Sequence, residues 1–149
     1  MYEKYGQFID GQWCQSSDKQ TYDVINPATE EIIGKASKAS QEDVDRALKS
    51  SEKGLNTWKK TPPWQRASIL RKIADTIREK RNVLAKWMTL ENGKPLAEGA
   101  AEVNGTADIF EWNAEETKRI YGQTIESRFE DTRVHVYYQP VGVVAALSP

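Results

Sequence analysis

The chain has 149 residues, room for one ordinary domain, with 38% hydrophobic residues and a mean hydropathy of -0.71. That share lies below the roughly 45–50% of globular chains, so either the core is thin or a partner surface is missing. With 21 basic against 22 acidic residues the formal net charge is -1, which excludes a bulk electrostatic pull toward nucleic acid or anionic membrane.

Nothing in the sequence approaches the roughly 18 consecutive apolar residues of a transmembrane helix. The opening Met1–Gly6 lacks an apolar run and a small-residue cleavage site, so no secretory signal is expected there. A single cysteine, Cys14, forms no internal disulfide and suits a reducing, cytoplasmic compartment. Asn104-Gly105-Thr106 matches a glycosylation acceptor, which without a secretory signal reads as chance.

The first third alternates strand-like runs with turns. Asp10-Gly11 sits between apolar residues in Phe8–Trp13, a short-range hairpin signal. Tyr22–Ile25 leads into Asn26-Pro27-Ala28-Thr29, where proline stops the strand, and Glu31–Ala36 reads as its return. One small antiparallel sheet is expected here.

The middle is helical. Ser40 with Asp43 makes a capping box, after which Val44, Ala47, Leu48, Ser51 and Leu55 share one face. Pro62-Pro63 opens a second helix with Ile69, Leu70, Ile73, Ala74 and Ile77 as its apolar face. A third carries Val83, Leu84, Trp87, Met88 and Leu90 and ends at Asn92-Gly93. The longest starts at Pro95 and runs to about Tyr121, with a core stripe of Leu96, Ala100, Val103, Ala107, Phe110 and Ala114. Gly99, Asn104 and Gly105 are poor helix formers, each glycine costing about 1 kcal/mol against alanine. Two readings stand: close packing against another helix, or a face kept low beside a ligand tunnel, with Trp112 on the Gly105 side.

Thr132–Tyr138 alternates as a strand, and after Gln139-Pro140 comes the run Val141–Leu147, apolar on both faces. Such a run is how a buried parallel strand reads, and a parallel strand needs neighbours that these residues do not supply.

Chemistry-bearing patterns are sparse. No Gly-x-Gly-x-x-Gly or Walker loop occurs, and one cysteine with one histidine cannot build a zinc cluster. Cys14 has no His or Arg near it in sequence to activate it, and His135 lies between valines on a solvated or interface face. Glu30-Glu31 and Glu115-Glu116 read as surface charge, and Trp58-Lys59-Lys60 is too little for a nucleic-acid stripe.

Five stretches in order resemble the opening of an aldehyde dehydrogenase: Phe8–Trp13, Val24–Glu30, Glu42–Ala47, Leu90–Pro95 and Gln139–Val143. Trp112–Glu116 and Arg119–Gly122 resemble the succinate-semialdehyde dehydrogenase branch most, although Asn113 replaces a common aromatic residue. The resemblance covers essentially the whole chain and implies the amino-terminal part of that α/β fold, left incomplete. Its parts would be a small antiparallel sheet, a helical layer and the first strand of a Rossmann-like parallel sheet. It divides the chain into 1–126 (helical and small-sheet part of the cofactor-binding domain), 127–140 (oligomerisation strand) and 141–149 (first dinucleotide-sheet strand).

The family oxidises aldehydes to acids with NAD or NADP, through a cysteine thiolate, a glutamate base and an asparagine oxyanion donor. None of these three matches a residue here, so the resemblance implies no catalytic residue and an inactive chain. It assigns Leu147, Ser148 and Pro149 to the strand end along the cofactor, and Ala101, Gly105 and Trp112 to the substrate tunnel. It assigns the Val24 and Ile25 carbonyls and the Glu91 carboxylate to a monovalent-cation site, oxygen ligands suiting a hard cation. Glu91 capping a local turn is the alternative. Implied partners are a small aldehyde and further copies of the chain, with no nucleic acid and no membrane. The competing reading is a non-catalytic, oligomerising interaction module.

Overall fold

The computed structural model describes residues 5–148. Two hairpins come first. β1 (Gln7–Ile9) and β2 (Gln12–Cys14) are joined by Asp10 at φ 53° and Gly11 at φ 77°. Two successive positive φ values make the tight turn whose twist matches antiparallel strands. β3 (Thr21–Ile25) and β4 (Ile32–Ser37) pair antiparallel across a turn in which Asn26 Oδ1 accepts from the Ala28 N–H at 2.9 Å. The ladder shifts register between Val24 and Ile25.

The expected single small sheet is instead two separate two-stranded ribbons. Each tight turn pairs only its own flanking strands, and no backbone ladder joins β2 to β3. Side chains link the ribbons: the Ser16 N–H donates to Ser37 Oγ at 2.8 Å.

The four helices are α1 (Gln41–Trp58), α2 (Pro63–Glu79), α3 (Arg81–Asn92) and α4 (Leu96–Glu116). The Ser40–Asp43 capping box starts α1, and prolines stand at the starts of α2 and α4. Gly93, left-handed at φ 78°, stops α3 and donates its N–H to Thr89 O at 2.9 Å. α4 ends at Glu116 rather than near Tyr121, its final turn tightening into a 3-10 turn over Thr117–Arg119.

α2 and α3 pack against α4, and α1 lies outside this layer. The buried apolar residues are Ala67, Ala74, Ala85, Ala100, Val103, Ala107 and Ala114. Such small side chains let helices approach closely while burying little area each. Ile77, Leu84 and Met88 close over the Ala85–Ala100–Val103 cluster. On α2 the inward face is Ala67, Leu70, Ala74 and Ile77, while the expected Ile69 and Ile73 are exposed. Val44 and Leu48 of α1 and Leu96 of α4 are likewise exposed.

β5 (Gln123–Glu126) and β6 (Arg133–Val136) form a third antiparallel ribbon. Its loop spans the expected boundary between residues 126 and 127. Residues 141–148 form no strand. The apolar pattern of Val141–Leu147 asks for parallel neighbours, and among the described residues none is present to complete a ladder.

Candidate functional site

α4 gives its two glycines different surroundings. A Cβ on Gly99 would stand 3.1 Å from Ala85 O, so at this glycine α4 packs closely against α3. A Cβ on Gly105 would meet nothing within 4 Å. Ala101, Gly105 and Trp112 fall at steps of four and seven on one face, and all three are exposed, Trp112 at 69%. The chain therefore presents this face without a cover.

At the other end, Leu147 is 98% exposed and Ser148 is exposed, with Pro149 outside the described residues. Two exposed residues without a glycine-rich loop are not a dinucleotide cradle. The described residues alone do not fit NAD or NADP.

The proposed cation ligands meet a different geometry. The register shift falls between Val24, paired with Gly34, and Ile25, paired with Ile32, so Ile33 on β4 is the residue left outside the regular ladder. Gly93, two residues after Glu91, sits against Pro27, two residues after Ile25; a Cβ there would lie 3.0 Å from Pro27 Cγ. The end of α3 is thus held against the turn that follows β3. Oxygen donors of this kind fit a hard monovalent cation. Among the described residues no group of three or more His, Cys, Asp or Glu side chains gathers for a metal.

Cys14 has a neighbour that sequence distance hid: Arg46 Nη2 lies 3.8 Å from its Sγ. The thiol is half-buried beside a cleft of about 420 Å³ that Arg46, Lys49 and Lys53 also line. His135 is exposed on β6, its Nδ1 3.2 Å from Thr124 Oγ1. Glu115 pairs with Arg71 and Lys118, and Glu116 with Arg119, so this acidic pair is bound up in ion pairs.

The strongest polar cluster is one that motif reading reduced to a helix cap. Asp43, 1% exposed, is the largest fully buried side chain. Its Oδ2 accepts from the Ser40 N–H at 3.0 Å, Ser16 Oγ at 3.0 Å and the Ser17 N–H at 3.1 Å. Arg46 Nη2 reaches its Oδ1 at 2.8 Å, and Gln7 Nε2 approaches Oδ2 at 3.4 Å. The Ser40 N–H above all holds the Asp43 carboxyl well below the usual carboxylate range; burial pushes the other way and is outweighed. In the sequence only the Ser40–Asp43 capping box marked this cluster.

A cavity of about 740 Å³ is an open groove between α2, α4 and residues 138–140. Arg66 on its wall donates to Thr61 O at 3.0 Å and approaches Thr117 Oγ1 at 3.4 Å, so it ties the start of α2 to the end of α4.

Residues 13–149 match the family described as the aldehyde dehydrogenase family. The chain belongs to the aldehyde dehydrogenase family. Among its relatives is a glutarate-semialdehyde dehydrogenase of Pseudomonas aeruginosa, 42% identical over 142 residues, covering 95% of this chain and 29% of the relative. The NADP(+)-dependent succinate-semialdehyde dehydrogenase of Escherichia coli K12 is 39% identical over 141 residues, at the same coverage.

Solved structures agree on the fold. An Escherichia coli NADP-dependent enzyme superposes with a TM-score of 0.83 at 36% identity, covering 87% of this chain and 27% of that one. A betaine aldehyde dehydrogenase of Staphylococcus aureus in complex with NAD+ gives 0.80 at 34%, covering 86% and 26%. The chain thus spans less than a third of the length of the aldehyde dehydrogenases it matches, and what it forms is part of their fold.

Proposed function

We propose that this chain is the amino-terminal part of an NAD(P)-dependent aldehyde dehydrogenase whose substrate is a small semialdehyde acid. The observation that carries the reading is the match to two semialdehyde dehydrogenases over 95% of the chain. Within such an enzyme, Ala101, Gly105 and Trp112 would border the substrate tunnel. Their shared uncovered face on α4 supports that role.

Val24, Ile25 and Glu91 would hold a monovalent cation that fixes the end of α3 against the β3–β4 turn. The Gly93–Pro27 contact, which holds the end of α3 against that turn, supports it. Leu147, Ser148 and Pro149 would lie along the cofactor once a sheet surrounds them. The cofactor would accept hydride from the substrate; the residues present contribute no step to that transfer.

These 149 residues by themselves would not oxidise aldehydes. Cys14, the one thiol, lies between a surface hairpin and α1, and Leu147 and Ser148 make no cradle for a cofactor. The test is the purified chain with succinic or glutaric semialdehyde and either NAD+ or NADP+, followed by absorbance of the reduced cofactor. No turnover is expected, and enzyme-like turnover would overturn the reading.

A second reading, an oligomerising interaction module, is favoured by one observation: the exposed β5–β6 ribbon is followed by the exposed apolar run Val141–Leu147. Unpaired strand-forming backbone of this kind templates association.

A further inference from the structure

We draw no further inference here: the strongest candidate, the open groove between α2, α4 and residues 138–140 walled by Trp58, Phe110 and Tyr138, carries nothing, because nothing in the structure shows what covers it.

Discussion

Asp43 shows how one side chain can organise a whole end of the protein. Its carboxylate takes hydrogen bonds from β1, from the segment after β2, from the α1 cap and from α1 itself. Because its pKa is depressed on folding, the stability it contributes is fully present above the unfolded value of about 3.9 and is lost as pH falls further. Unfolding by urea across a pH series checks this. Asp43→Asn should be clearly less stable than the parent at pH 7, and the difference should shrink steadily below about pH 4. A difference that stays constant down to pH 2 would show that the charge is not what matters.

The same residue shows what a sequence does and does not disclose. Ser40 and Asp43 were legible because a capping box is local, four residues long. Ser16, 27 positions away from Asp43, has no local signature, and only the folded chain brings it there. Cys14 and Arg46 are 32 positions apart and were separated for the same reason.

At the scale of elements, the helices were legible nearly to their ends, since prolines, a capping box and a terminal glycine mark the boundaries. Their apolar faces were legible less well. Periodicity states that a face is apolar, while neighbours decide whether it is covered, and Ile69, Ile73, Val44 and Leu48 remain exposed. The two glycines of α4 separate packing from ligand access. Gly99→Leu should destabilise by about 1–3 kcal/mol, because the new side chain must force α3 away at Ala85. Gly105→Ala meets open space and should stabilise by about 0.5–1 kcal/mol through helix propensity. Thermal unfolding of the two variants checks both; equal effects of one sign would contradict this account of α4. Residues 141–147 follow the same rule: an apolar run states what a segment requires, and its partners decide whether a strand forms.

At the scale of the molecule, surface area makes the same point. A folded monomer of 16.9 kDa exposes about 7,700 Å² by the usual scaling, and this chain exposes 11742 Å². The excess, on the order of 4,000 Å² on this one chain, is more than the roughly 1,000–2,500 Å² that each partner of an obligate interface buries. It agrees with a chain spanning 29% of a relative's length and with a core built mainly of alanines. Expressed alone, the chain should self-associate, and replacing Val143 and Val144 by lysine should shift it toward a monomer. Light scattering coupled to size exclusion reads both. A clean monomer before any replacement would contradict the claim that these faces need cover.

The most direct test of the central claim is a chimera. These 149 residues would replace the matching part of the Pseudomonas aeruginosa glutarate-semialdehyde dehydrogenase, which is 42% identical over 142 residues. Reduced-cofactor formation is measured with glutaric semialdehyde for the chimera and for the 149-residue chain alone. The account predicts turnover by the chimera and none by the chain alone. A chimera that folds and assembles like the parent but leaves the aldehyde untouched would contradict it, as would turnover by the chain alone.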